Sequence, residues 1–228
     1  MKNWAGLTLV IGNKNYSSWS MRPWVLMRQL GIAFEEKKLR FHSSEWDAGI
    51  ERWSPSRLVP VLWREEQSVW DSLAIMETLA EWYPERNVWP RDDAARAFAR
   101  SIAAEMHSGF RDLRNNMPMN IRASHPGKGM TPEVKANIER IERLWGEARQ
   151  RFGAGGAFLF GAFSAADAMY APVVMRFGTY GVALGPEAAR YCEVMRAAPG
   201  VRAWIDEALQ EKEFVADDEP YAAASPAE

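Results

Sequence analysis

Apolar residues recur along this chain with two different periods, and the change of period divides it. Leu7-Thr8-Leu9-Val10-Ile11 is a short apolar run closed by Gly12, the pattern of a buried strand. A polar loop follows over residues 13–18. Met21, Trp24, Val25 and Leu26 then start a helical period that stops near Gly31, a residue suited to a helix C-terminus. Phe34 to Phe41 has strand-like ends around a charged middle, which predicts an edge strand. Val59-Pro60-Val61-Leu62-Trp63, a polar turn over 64–68, and Val69-Trp70 predict a hairpin. Asp71-Ser72 then leads into Leu73, Ile75, Met76 and Leu79 of another helix. The order is β-α-β followed by β-β-α, and a right-handed crossover makes the first two strands parallel.

Residues 83–90 carry two prolines and break the pattern, after which strand signals stop. Residues 94–116 read as one long helical stretch. Pro118, Pro126, Gly127 and Gly129 punctuate a loop. Thr131-Pro132-Glu133 opens a helix with proline at its first position, and Val134, Ile138, Ile141, Trp145, Ala148 and Phe152 continue it at steps of three and four. Ser164 opens a further helix. Val201, Trp204, Ile205, Ala208 and Leu209 form a clean helical stripe. From Asp217 the chain turns acidic, then alanine-rich, which predicts fraying. The expected organisation is an α/β unit over 1–84, a linker over 85–93, an all-helical unit over 94–216 and a flexible tail over 217–228.

Composition narrows the function classes. With 47% hydrophobic and 25% charged residues over 228 positions, the chain is of globular type. Lys+Arg 28 against Asp+Glu 30 gives a net charge of −2, without the basic surplus of a nucleic-acid binder. No apolar run is long enough to span a membrane. Met1 to Val10 lacks the features of a signal peptide. Cys192 is the single cysteine, so neither an internal disulfide nor a Cys-x-x-Cys motif can form. His42, His107 and His125 are widely spaced and make no ligand pair, so no metal is expected. A cytoplasmic protein without a resident cofactor fits these facts.

Four constellations can carry chemistry. Ser17-Ser18-Trp19-Ser20-Met21-Arg22-Pro23 comes first, since proline belongs in the first helical turn and so fixes a helix start just before it. Ser17 and Ser18 then lie where free N–H groups and the helix dipole stabilise an anion such as a thiolate, although serines there also read as N-caps. Val59-Pro60 directly precedes a strand, where proline cannot join the ladder; a cis bond there would turn backbone groups toward a peptide ligand. Asp71-Ser72 at a helix start suits the α-amino-acid end of a ligand, or is an N-cap pair. Ser164-Ala165-Ala166-Asp167 is a capping box with Asp for the usual Glu, and reads as structural. Met106, Phe110 and Met117 are candidates for an apolar pocket, or for core.

In this order the pieces resemble the cytosolic glutathione transferases over nearly the whole chain. The resemblance implies a thioredoxin-like α/β N-terminal domain followed by an all-α C-terminal domain, with Ser17-Ser18-Trp19-Ser20 standing where thioredoxins carry Cys-x-x-Cys. It implies Ser17 as the catalytic contact to glutathione sulfur and Val59 as the backbone partner of the cysteinyl part. Pro60 would be the family's cis-proline, and Asp71 and Ser72 the γ-glutamyl pair. Ser18 is placed in the same glutathione site, and Arg57 or His42 is the candidate for the glycine end because Leu58 is apolar. The loop is similar to the zeta-type Ser-Ser-Cys-x-x-Arg through Ser17, Ser18 and Arg22, with Trp19 replacing cysteine. The implied function is conjugation of glutathione, as co-substrate, to a small electrophile in a detoxification role, by a homodimer without nucleic-acid or membrane partners. A glutathione-dependent isomerase of the maleylacetoacetate type and a non-catalytic binding protein are the alternatives.

Overall fold

The computed structural model describes residues 6–222. The expectations for residues 1–5 of the N-terminus and 223–228 of the tail lie outside the described residues. Strands β1 (Leu7–Ile11), β2 (Glu35–Lys38), β3 (Val61–Arg64) and β4 (Gln67–Val69) form one sheet in the order β2-β1-β3-β4. β1 is parallel to β2, as the crossover rule requires, and antiparallel to β3, with Val10 opposite Val61. The charged β2 occupies an edge, where its side chains keep access to water.

β1 is apolar at four of its five positions because both its faces are covered. Leu7, Leu9 and Ile11 join the main core with α1 (Ser18–Gln29) and α3 (Ser72–Trp82), while Val10 packs in a second core with Leu39, Ile50 and Val61. That second face is covered by α2 (Ser44–Trp53), which the β-α-β order expected from the sequence omits. Trp46, Ile50 and Trp53 of α2 pack there at helical spacing, and Ser43 caps the helix by accepting the Trp46 N–H.

The second unit contains α4 (Asp93–Ser108), α5 (Arg111–Asn116), α6 (Pro132–Phe152), α7 (Ala165–Thr179), α8 (Pro186–Ala197) and α9 (Pro199–Ala208). The single helix expected over 94–116 is two. A Cβ on Gly109 would lie 2.7 Å from the Glu105 carbonyl oxygen, and Phe110 takes φ 55°, so the backbone turns left-handed and the direction changes. α7 is buried on every side. α1 is nearly so, because it lies between the sheet and helices α7 and α9. Gly200 permits that closeness: a Cβ there would meet the Val25 carbonyl oxygen at 2.9 Å. The tail does not fray where it is described. Residues 216–218 form a 3-10 turn, and Tyr221 donates to the Asn116 carbonyl at 2.7 Å while its ring packs on His125 and Tyr180. Among the described residues, no helix is long and apolar enough to cross a membrane.

Candidate functional site

The turn from β1 into α1 sets the site. Ser17 is the N-cap of α1; its Oγ accepts the Ser20 N–H at 3.4 Å and donates to Ser20 Oγ at 2.7 Å. Ser20 Oγ also accepts the Gly12 N–H at 3.1 Å, so it ties both ends of the turn together. Ser18, the first helical residue, accepts from Arg176 Nη2 at 3.3 Å. Both serines therefore sit at the positive end of α1. Pro23, however, lies in the second turn rather than the first. Packing on both sides of α1 holds the helix there despite the hydrogen bond that proline cannot make.

The helical unit grips this turn from behind. The Glu211 carboxylate accepts the N–H groups of Lys14 and Asn15 at 2.9 and 3.0 Å, and also Lys38 Nζ at 3.0 Å. Trp204 donates to the Lys14 carbonyl at 2.9 Å, and Asn15 pairs with Asn120 at 2.8 Å. The buried Lys14 ammonium is matched by Glu36 at 2.6 Å and by Glu207. The serine turn is thus braced by residues some two hundred positions away in sequence.

In front of the turn lies a cavity of about 470 Å³. Tyr16, Ser17, Ser18, Trp19 and Val59 line it from the α/β unit; Arg114, Met119, Arg176 and Asp218 face them from the helical unit. Val59–Pro60 is cis, as the resemblance implies, and so is Trp70–Asp71. Asp71 Oδ1 caps α3 through the Leu73 and Ala74 N–H groups, and Oδ2 lies 2.9 Å from His107 Nε2. Ser72 is buried beside it with a hydroxyl that has no partner among the described residues. Neither residue lines the main cavity.

Five further site candidates lie outside the cavity lining. Met106 and Met117 are fully buried core residues, and Phe110 serves the helix break; none of them lines the cavity. The helical wall is instead cationic, because the interruption at Gly109 directs α5 and its Arg114 there. His42 and Arg57 both have positive φ and are about two-thirds exposed. His42 pairs with Asp217 at 3.6 Å and Arg57 with Glu51 at 3.0 Å, both away from the cavity lining. The Ser164–Asp167 box forms, at the start of α7.

Burial governs the electrostatics. Arg22 is fully buried, stacks at 4.2 Å on Trp19 and has no hydrogen-bond partner among the described residues; burial, then Arg176 and Arg114, lower its pKa to about 9. Burial and Arg114 lower Arg176 to about 10, and burial raises Asp218 to about 6. His107 is pushed down by burial, against the pull of Asp71. At neutral pH the wall opposite Ser18 therefore carries arginine charge. Trp19, Arg114, Arg176 and Asp218 do not appear in the sequence reading as site residues. A lone arginine in the apolar run Val173-Val174-Met175-Arg176-Phe177 is the signal that could have exposed one of them.

Comparison with known proteins agrees with this arrangement. The glutathione S-transferase N-terminal domain matches residues 16–82, and the C-terminal domain of the same family matches residues 131–207. A probable maleylacetoacetate isomerase of Caenorhabditis elegans is 31% identical over 99 residues, which span 43% of this chain and only 46% of that relative. A glutathione transferase homologue from Burkholderia GL BGR1, solved with bound glutathione, is 25% identical with a TM-score of 0.67; the match covers 89% of this chain and 98% of that one. Human glutathione-S-transferase T1-1 in its apo form is 20% identical with a TM-score of 0.65, over 92% of each chain. Both units, in this order and around this turn, mark the chain as a member of the glutathione S-transferase family.

Proposed function

We propose that the protein binds glutathione at the serine turn, lowers its thiol pKa and transfers the thiolate to a small electrophile held against the helical unit. The observation that carries this reading is Ser17 at the N-cap of α1, lining a cavity together with Val59 of the cis peptide. A free thiol titrates near ~8.5, so half-ionisation at pH 7 needs a shift of about 1.5 units, or roughly 2 kcal/mol. One hydroxyl donated to a charged acceptor contributes about 1.5–3 kcal/mol and a helix N-terminus roughly 0.3–1 kcal/mol. The two together are sufficient in size. The thiolate is then the nucleophile, and Ser17 its hydrogen-bond donor. The reading includes a homodimer in the cytoplasm. Titration calorimetry with glutathione and a conjugation assay with an activated aryl halide test it; absence of glutathione binding overturns it.

Asp71 and Ser72 serve the γ-glutamyl end in this reading, with the Asp71 carboxylate exchanging His107 for the ligand ammonium. Asp71→Asn removes the charge and keeps the shape. It should weaken glutathione binding about tenfold, the cost of one charge-assisted hydrogen bond. Ser72→Ala should weaken it less, since its buried hydroxyl has no partner to lose among the described residues. Unchanged affinity in both variants leaves Asp71 as a helix cap alone and removes Ser72 from the site.

The isomerase reading is favoured by one observation, the name of the Caenorhabditis elegans relative. Glutathione-dependent turnover of a maleylacetoacetate-type substrate, without net consumption of glutathione, selects it over conjugation.

A further inference from the structure

We propose that Arg176, acting through the Ser18 hydroxyl, is a positioning residue that stabilises a thiolate in the cavity. This rests on the glutathione reading above but names a group that the serine motif does not contain. Arg176 projects from α7, a helix buried on every side, and is itself 3% exposed. Its Nε donates to the Met117 carbonyl at 2.8 Å and its Nη2 to Ser18 Oγ at 3.3 Å, while Nη1 has no partner among the described residues. It lines the cavity and makes no ion pair among the described residues.

The charges around it make the arrangement incomplete without an anion. Arg114 of α5 and Arg22 of α1 repel it; Asp218, from the 3-10 turn, attracts it, and Tyr180 is the remaining titratable neighbour. Two guanidiniums, Arg114 and Arg176, thus share the cavity wall with one carboxylate, while the buried Arg22 feels Asp71. A buried cation without an ion-pair partner is unfavourable. Burial leaves the guanidinium protonated at neutral pH, since it brings the group down only to about 10. A negative charge delivered by the ligand relieves this imbalance.

The route to that charge is Ser18. Its Oγ accepts from Arg176, so its own proton is free to be donated, and a hydroxyl that accepts from a cation is a stronger donor. Ser18 and Ser17 are adjacent at the same helix end and both line the cavity, so either hydroxyl can be offered to a sulfur bound there. On binding, the thiol S–H bond breaks, its proton passes to solvent water, and the electron pair stays on sulfur, which accepts the Ser18 O–H.

A carboxylate on the ligand is the other source of the same charge, and the test separates the two. Thiolate absorbance of bound glutathione is followed against pH for the wild type, Arg176→Gln and Arg176→Lys. Affinity for S-methylglutathione, which retains both carboxylates but has no ionisable thiol, is measured alongside. Arg176→Gln should raise the bound thiol pKa by about one unit, a roughly fivefold loss of thiolate at pH 7 for a thiol half-ionised there, and Arg176→Lys should restore part of the shift. S-methylglutathione affinity should change by less than about twofold. An unshifted thiol pKa in Arg176→Gln overturns the proposal, as does an equal loss of affinity for both ligands, which would make Arg176 a carboxylate site. Should Arg176→Gln fail to fold, Ser18→Ala cuts the same route and leaves the guanidinium in place; an unshifted pKa there overturns the proposal equally. If the wild type itself binds no glutathione, the reading beneath it fails too. A wild type with a lowered thiol pKa and an indifferent Arg176→Gln removes this inference alone.

Discussion

Ser17→Ala should raise the pKa of the bound thiol by about one to two units, equivalent to the 1.5–3 kcal/mol of a hydrogen bond to a charged acceptor. Turnover at neutral pH should fall about tenfold or more and recover partly at high pH, where the thiol ionises unaided. The hydroxyl is not idle without ligand, since it donates to Ser20 Oγ at 2.7 Å. That bond can reverse. If Ser20 donates instead, Ser17 keeps its contact and its proton becomes available to sulfur, so no hydrogen bond is lost in the exchange. Ser18→Ala should produce a smaller shift, because Ser17 retains direct contact. pH–rate profiles of the three proteins decide between the serines. A profile moved by Ser18→Ala and not by Ser17→Ala assigns the sulfur contact to Ser18. If neither moves it, the helix end alone holds the thiolate, or glutathione is not activated here.

The parts of the fold that were legible in the sequence are those with one strong local signal. β1 announces itself by four apolar residues in a run of five ending at a glycine, α6 by Thr131-Pro132 followed by six periodic apolar positions, and α9 by its stripe. α2 was not legible in this way: of its side chains only Ile50 is buried, and tryptophans at 46 and 53 supply the rest of its apolar face. The split between α4 and α5 depends on one close approach, Gly109 to the Glu105 carbonyl, which no periodicity encodes. Tyr221 anchors a segment whose composition alone predicts fraying.

The site divides along the same line. Ser17, Val59, Pro60 and Asp71 are carried by short motifs, so sequence order places each at its helix or strand start. The opposite wall is assembled from α5, α7 and the 3-10 turn, elements brought together by tertiary packing. Periodicity favours apolar residues such as Met106 and Met117 as pocket candidates, but in a bundle the most apolar positions belong to the core. Arg176 shows the opposite case, a charge placed where the pattern calls for an apolar residue.

Asp167→Ala should be the most destabilising single change, by at least about 3 kcal/mol, because it strands several buried donors at once. The carboxylate accepts the Leu159 N–H at 3.0 Å, the Ser164 N–H at 2.9 Å, the Ser164 hydroxyl at 3.1 Å and the Tyr191 hydroxyl at 3.0 Å. It therefore joins the start of α7 to the 159–164 turn and to α8. Each kcal/mol lowers Tm by about 2–4 °C in a chain of this size, so thermal unfolding should show a fall of roughly 6 °C or more. Ser164→Ala removes one member of the group and should cost only about 0.5–2 kcal/mol. Equal effects of the two changes would mean that Asp167 acts merely as a cap. The pH dependence gives a second check. Burial raises Asp167 to about 6, outweighing its four donors. A carboxyl whose folded pKa exceeds its unfolded value binds protons more tightly when folded, so its contribution to stability is lost as pH rises from about 4 to about 6. The isosteric Asp167→Asn variant does not titrate there. The stability of the wild type relative to Asp167→Asn should therefore decline across that interval and then level off above pH 7. A relative stability that grows with pH would show instead that the four donors hold the carboxylate ionised against the cost of burial.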